Sequence, residues 1–355
     1  MAAELPAFRK NFRLTPRYRN LAQVPVVRQP CQVKEIRRID LPTQYGRLGP
    51  LTWIGDNLVD FGYCAVYHMD GTIGECPGGF SYRFDKVVSS ADGRYAVLYE
   101  QLGTKGLVLN EGRLVREINR SFYHAYDYEF PVTIFKWPDG RTAIAHCPDK
   151  YCRIEIEDIE TGQRLISRES KSADIFHSQL QVSPDDRYLV SAGWVWQPWD
   201  VTQVFDLNAV VTRPELLDET WNAVSEFDLW ETSTAVFTDS GRLILAGHDD
   251  DSETPPPVLF VCDLKTNTFV SKVKLEETAG LLMSVGDYVI GFWKYPKLIE
   301  ISSGRVILRW DDLASGFRNG PLINPQEPKV QIALDPKNKR FAVGNSERIT
   351  VVELG

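Results

Sequence analysis

Hydrophobic and polar positions along the chain repeat as hairpins. A short apolar run, a polar turn rich in Asp, Gly or Asn, and a second apolar run occur at 86–100 (KVVSSADGRYAVLYE), 133–147 (TIFKWPDGRTAIAHC) and 178–194 (SQLQVSPDDRYLVSAGW). The unit returns at 233–249, 281–293 and 329–345, with a weaker copy at 51–63. Seven copies at an uneven spacing of roughly 35–55 residues indicate an internal repeat. Asp-Gly and its relatives supply the positive φ of a tight turn, and the flanking β-branched and aromatic residues favour strands. The runs are apolar at nearly every position, as expected of strands buried on both faces.

Each hairpin is followed by a third run ending in a polar turn, as in 153–162 (RIEIEDIETG), 202–208 (TQVFDLN), 259–267 (LFVCDLKTN) and 297–305 (KLIEISSGR). A fourth stretch follows, such as RLISRES, FVSKVKLEE or RVILRWDDL. Four antiparallel strands per repeat, seven times, predict an all-β fold, a seven-bladed β-propeller. The last repeat stops after its third strand, at 348–355, while 32–41 (QVKEIRRIDL) reads as a fourth strand with no preceding three. Pairing the two closes the ring and removes two exposed edges together.

The repeat resembles the WD40 family. SPDDRYLVSAGW, with VFDL ending the next strand, is the nearest copy. His177 precedes its first strand and Ser191 lies on its second, where the family has a structural His and Ser/Thr hydrogen-bond network. The pattern extends over residues 32–355. Phe205-Asp206 and Cys262-Asp263 stand where the family closes its third strand with Trp-Asp, and Gly247-His248 falls at the end of a second strand rather than before a first. The resemblance therefore implies a WD40-like propeller without naming a subfamily.

The composition, 43% hydrophobic and 25% charged over 355 residues, is that of an ordinary globular chain. The net charge of −8 argues against nucleic-acid or anionic-membrane binding and suits a basic partner. Residues 1–30 run against it, with Arg9, Lys10, Arg13, Arg17, Arg19 and Arg28 facing only Glu4. They are expected to form a basic arm lying on an acidic propeller of residues 31–355. No apolar secretory region and no run of 18 apolar residues occurs, so a cytoplasmic protein, monomeric on its own, is expected. Cys31, Cys64, Cys76, Cys147, Cys152 and Cys262 are expected as free thiols, with Cys147 and Cys152 facing each other across a turn. No metal-type spacing occurs, and no cofactor is expected.

None of the common catalytic signatures is present: no GxSxG, HExxH, GxGxxG or phosphate-binding loop. His177 is read as structural, and His68, His124, His146 and His248 as surface or loop residues. Asp249-Asp250-Asp251 lacks a calcium-loop spacing and reads as a solvated loop. Position within the blade is more informative. First-to-second and third-to-fourth turns emerge on one face and are short and polar. Second-to-third loops and blade-to-blade connections emerge on the other, and they carry Trp194, Trp196, Trp199, Trp221, Trp230 and Trp293, six of the nine tryptophans. Tyr123, Tyr126, Tyr128 and Tyr295 map there too, beside Asp249, Asp250 and Asp251. Aromatics next to acidic groups are the composition of interface hot spots. Tyr123, Tyr126, Trp194, Trp196, Trp199, Trp221, Trp230, Asp249, Asp250, Asp251, Trp293 and Tyr295 are therefore the candidate partner-binding residues. The leading functional reading is a non-enzymatic protein-binding propeller, in its narrower form an inhibitor or immunity protein for a basic partner such as a toxin. The alternative is a hydrolase or lactonase with its pocket at the channel mouth.

Overall fold

The computed structural model describes residues 33–76, 80, 82–196, 199–219, 231–249 and 255–355. The proposed basic arm, residues 1–30, lies outside them. The strands form seven antiparallel sheets. In chain order the strands of the first six blades are β2–β5 (Leu51–Glu75), β6–β9 (Lys86–Asn119), β10–β12 (Val132–Asp158), β13–β15 (Leu180–Asp206), β16–β19 (Glu231–Lys274) and β20–β23 (Lys297 and Val306 opening its last two strands, ending at Arg309). The seventh has the order β1-β26-β25-β24, with β24 at Gln331–Asp335, β25 at Arg340–Gly344, β26 at Arg348–Leu354 and β1 at Glu35–Pro42. The register from Glu35↔Leu354 to Pro42↔Arg348 is the closure that the phase of the repeat demanded.

Seven apolar clusters occupy the seams, each shared by two neighbouring blades. The seam between the last and first blades joins Leu41, Ile349 and Val351 to Trp53 and Tyr67, so the ring is packed all the way round. Central strands such as β7 (Tyr95–Tyr99) and β25 are buried at every position, and outer strands such as β23 alternate. These are the two patterns expected of strands covered on both faces and on one.

The hairpin turns repeat in detail. Ser90, Ser183 and Thr238 each end the innermost strand of a blade, and their hydroxyls accept from the N–H of Tyr95 (2.9 Å), Tyr188 (2.9 Å) and Arg242 (3.0 Å). The left-handed position of the turn holds Gly93, Gly140 or Gly241 in three blades, while Asp186 (φ 54°) and Lys339 (φ 50°) occupy it in two others. The Asp that ends the third strand also recurs. Asp158, Asp206 and Asp263 each accept from the backbone N–H groups two and three residues on. Arg187, supplied by the turn, reaches Asp206 at 2.9 Å.

Two blades depart from the expected four strands. In the fourth, Asp206 caps a short helix, α1 (Leu207–Thr212), where an outer strand was expected. In the third, the RLISRES segment makes only an isolated bridge, Glu157↔Arg164. Its Arg168 side chain is buried instead between Glu155 (3.3 Å) and Asp218 (2.9 Å). Ser172 and Arg153 also bond Asp218 (2.7 and 3.4 Å). The arginine is turned inward to satisfy these buried carboxylates, and its position sets the path of the segment.

His177 Nδ1 lies 3.0 Å from Ser191 Oγ, in the places the WD40 resemblance assigned. Burial, with the charge of Arg168 adding to it, pushes His177 down to about 4. His146 corrects the reading of the remaining histidines. It sits within β11 (Thr142–His146), fully buried, with Nε2 3.1 Å from Glu157. The described cysteines, Cys64, Cys76, Cys147, Cys152 and Cys262, are free thiols. Cys31 lies outside the described residues.

Two outcomes follow for stability. Deleting residues 1–45 strips the β1 ladder from β26 and opens the last seam. It should lower Tm by at least about 5 °C, since each kcal/mol moves a chain of this size by a few degrees. An unchanged melting curve would show that closure contributes nothing. The depressed His177 stabilises the fold fully above its unfolded value near 6.5 and progressively less as pH falls toward 4. Roughly 2 kcal/mol should be lost by pH 5 through this group. Urea midpoints at pH 7.5 and pH 5 should therefore fall further for the native protein than for His177→Gln, and parallel losses would contradict the assignment.

Candidate partner-binding site

The connection between the sixth and seventh blades, residues 310–330, does not stay at the rim. Gly316 bridges Lys294 of blade six, and Leu322 bridges Tyr128, which lies between blades two and three. Ile323 N–H donates to Asp127 O at 2.8 Å, and Lys329 pairs with Asp85 ahead of β6 at 2.6 Å. Those positions lie on opposite sides of a seven-membered ring, so the segment crosses the axis as a strap over the channel mouth. Arg318 anchors it by an ion pair with Glu129, whose other oxygen accepts from the Tyr99 hydroxyl at 2.7 Å. Burial works to raise the Glu129 carboxyl, but Arg318, Lys86 and the Tyr99 hydroxyl outweigh it and hold it below its ordinary value.

Beside the strap stands a cluster of aromatic rings. Phe176 stacks on Trp194 at 4.0 Å and on Tyr151 at 4.2 Å, and Tyr123 lies over Tyr151 at 5.1 Å. Phe176 and Trp194 also exchange both backbone hydrogen bonds (2.9 and 3.0 Å). This approach is tight enough that a Cβ on Gly193 would meet Phe176 O at 2.1 Å, so the small residue before Trp194 is required. Trp196 meets His124 edge-on at 5.0 Å and Trp194 at 5.3 Å. His124 Nδ1 lies 2.7 Å from Asp127. The base of the cluster is buried, whereas Phe122 is 83% exposed, Tyr126 63% and Trp196 56%.

A cavity of about 680 Å³ separates this cluster from the strap. Its wall includes Trp194, Trp196, Trp293 and Phe317 together with Asp127, Asp200, Glu231 and Glu327. Trp293 and Phe317 meet edge-on at 5.6 Å. Asp200 is set on β15 (Trp199–Asp206) opposite Trp194, and its N–H donates to Glu231 Oε1 at 3.1 Å. Gly320 of the strap comes so close that a Cβ there would lie 2.6 Å from Asp200 Oδ2. Burial above all, with the Glu231 charge adding to it and a hydrogen bond from Ser233 opposing, pushes Asp200 up to about 7. Among the described residues no three His, Cys, Asp or Glu side chains stand together as a metal ion would require.

The structure divides the residues expected from sequence. Tyr123, Tyr126 and Trp196 meet in the aromatic cluster, and Trp293 joins Trp196 on the cavity wall. Trp194 corrects the expectation of an exposed contact, being only 1% exposed. It belongs to β14 (Tyr188–Val195), whose pairing with β15 continues to Val195↔Trp199, so the three tryptophans span a hairpin rather than an open loop. Trp199 is half-buried on the second strand. Two other residues turn away from the cavity. Asp249 pairs at 2.8 Å with Lys272 of the outer strand β19 (Thr268–Lys274). The Tyr295 hydroxyl donates to Glu277 at 2.9 Å, beside the buried Lys297. Trp221, Trp230, Asp250 and Asp251 lie outside the described residues. Sequence reading missed Asp200, Glu231 and the strap. The length and Gly/Asn/Pro content of 314–328 (ASGFRNGPLINPQEP) were the available signal, because long connections in compact folds commonly carry function.

No model of a known protein family matches the chain, and no curated protein does. Solved structures do match it. It is similar to the β-propeller domain of Cps50 (Swd1) from Myceliophteria thermophila, with a TM-score of 0.55, 13% identity, and coverage of 89% of this chain and 99% of that one. It is similar to hydrazine synthase from Kuenenia stuttgartiensis at a TM-score of 0.55 and 13% identity, covering 88% and 97%. A chain of the mitotic checkpoint complex matches at 0.55 and 14% identity, covering 96% and 97%. The likeness is one of fold, and the fold is a seven-bladed propeller.

The burial pattern separates rim from support. Trp194→Ala should destabilise by about 3–5 kcal/mol, as large-to-small changes at buried aromatics do. Tyr126→Ala with Trp196→Ala should stay within about 1 kcal/mol of the native protein. Urea unfolding of both variants checks this, and a reversed order would mean that the exposed rings are structural.

Proposed function

We propose that the protein is a non-enzymatic propeller that binds a basic protein partner through the face carrying the strap and the aromatic rim. The single observation carrying this reading is the pair of exposed rings, Tyr126 and Trp196, that meet on His124 beside a carboxylate-lined cavity. Exposed aromatics on a rigid base are the usual anchors of an interface, because little side-chain entropy is lost when they are covered. The opposite face presents tight polar turns held by their own hydrogen bonds, which offer a partner little apolar area. The net charge of −8 supports a basic partner. Among the described residues no helix is long and apolar enough to cross a membrane. In its narrow form the protein is a cytoplasmic, monomeric inhibitor, an immunity protein whose target is a basic toxin.

The fold does not separate binding from catalysis, since one structural neighbour is a hydrazine synthase and another a chain of the mitotic checkpoint complex. One observation favours the second reading, a hydrolase or lactonase: a carboxyl pushed up to about 7 in a cavity suits general acid–base work.

Tagged protein should capture a partner from its native host. Tyr126→Ala with Trp196→Ala should weaken that complex by tenfold or more, chiefly through a faster off-rate, and raising salt should slow association. Loss of binding instead on changing Asp92 or Asp139, in the turns of the opposite face, would refute the choice of face. Turnover of esters or lactones that disappears in Asp200→Asn would replace the binding reading by the enzymatic one.

A further inference from the structure

We propose that the cavity between the strap and the β14–β15 hairpin is a socket for one cationic side chain, a guanidinium or ammonium group presented by a docking polypeptide. The inference deepens, and rests on, the protein-binding reading above.

Three observations converge. First, every charged residue of the cavity wall is a carboxylate, and of these Asp127 already has His124 as a partner. Asp127, Asp200, Glu231 and Glu327 contribute to its wall, and no Lys, Arg or His does so among the described residues. The nearby cations are engaged elsewhere: Arg318 of the strap is paired with Glu129, and His124 meets Asp127 from outside the wall. Second, the rest of the wall is aromatic. Trp196, Trp293 and Phe317 offer ring faces and edges around a volume of about 680 Å³. A cation over such rings is attracted to their faces, more strongly as water is excluded. Third, Trp194 walls the cavity while being 99% buried, and its indole N–H has no hydrogen-bond partner. The nitrogen is covered by its surroundings, so a carbonyl oxygen of the entering chain would satisfy it only after a small shift of the ring toward the cavity. Carboxylates for the charge, rings for the stem and a donor for the backbone together fit a basic residue within a polypeptide.

The site also has a built-in pH response. Asp200 faces Glu231 and Ser233 on β16 (Glu231–Phe237) and Gly320 on the strap, with Asp127 and Glu327 on the same cavity. Burial and the Glu231 charge push Asp200 up to about 7, so below that pH it carries a proton that a cation must displace. Binding should then tighten as pH rises from 6 to 8.

The test uses the full chain with 15N-labelled tryptophan, titrated with the acetylated methylamides of arginine, lysine and the neutral analogue citrulline. Saturable shifts of the Trp194 and Trp196 indole signals are expected with arginine or lysine and not with citrulline. The stronger of the two identifies the cation. Asp200→Asn with Glu231→Gln should weaken binding tenfold or more, and Asp200→Asn alone should flatten the pH dependence. An equal response to citrulline, or no response to any amide, overturns the socket. Should the double variant fail to fold, the pH and salt dependence of the native protein decides, and affinity independent of both overturns it. Amides that bind while the captured partner ignores the carboxylate variants would uphold the socket and refute the partner reading. A partner lost in Tyr126→Ala with Trp196→Ala, but no amide binding, would do the reverse.

Discussion

One ladder holds the ring. The pairing of β1 with β26 joins residues from the two ends of the propeller, and among the described residues no other sheet contains strands that are not consecutive in sequence. Every other blade is a local meander that forms from neighbouring residues. None of those meanders can bury both faces alone, so each depends on the seam with its neighbours, and the seams close only if the last blade acquires its outer strand. Trp310, the first residue of the strap connection, donates to Glu35 of β1 at 2.6 Å, and Arg38 of β1 pairs with Asp312. The closing strand therefore also fixes the root of the strap. Fold and candidate site share one constraint.

The strap converts an open channel into two separate hollows. Phe317, Ile323, Asn324 and Glu327 border both the acidic cavity and a smaller one of about 210 Å³ on the side of Lys86 and Lys329. The charges are sorted across it: Lys86, Arg318 and Lys329 with Asp85 and Glu129 on one side, carboxylates alone on the other. A loop crossing a channel exposes its backbone to both sides, and this one is held by a bridge to each flank of the ring and by a buried ion pair. Removing one partner of such a pair leaves an uncompensated charge, which is why the anchor is specific in register even where its net stabilisation is small.

The repeat was legible because its signals are local. Asp-Gly turns, capping Asp residues and doubly buried strands are decided within a few positions, and the phase of the repeat at both ends decided closure. What could not be read depends on contacts distant in sequence. Arg168 gives no sign in its neighbourhood that it will be buried against Asp218, so RLISRES looked like another outer strand. Trp194 and Trp196 look alike in sequence, but strand alternation and Phe176 send one inward and leave the other in solvent. Asp249 and Tyr295 share the composition of the site and are diverted by Lys272 and Glu277. Asp200 was unremarkable until β16 and the strap enclosed it, because a carboxyl gains chemistry only from what surrounds it.

The same surroundings explain why this mouth is acidic rather than merely aromatic. A carboxylate walled by indole and phenyl rings loses hydration that the rings do not replace, and the Glu231 carboxylate, which accepts from the Asp200 backbone N–H, adds repulsion. Such a pair is unfavourable for stability, and a fold selected only for packing would place apolar side chains there. The low polarity that raises Asp200 also strengthens its attraction for any cation that enters, since the field of a charge is screened less beside rings than in water. Burial thus makes the empty site costly and the filled site favourable. On the reading proposed above, that asymmetry favours a cation where Asp200 and Glu231 meet the strap and the hairpin.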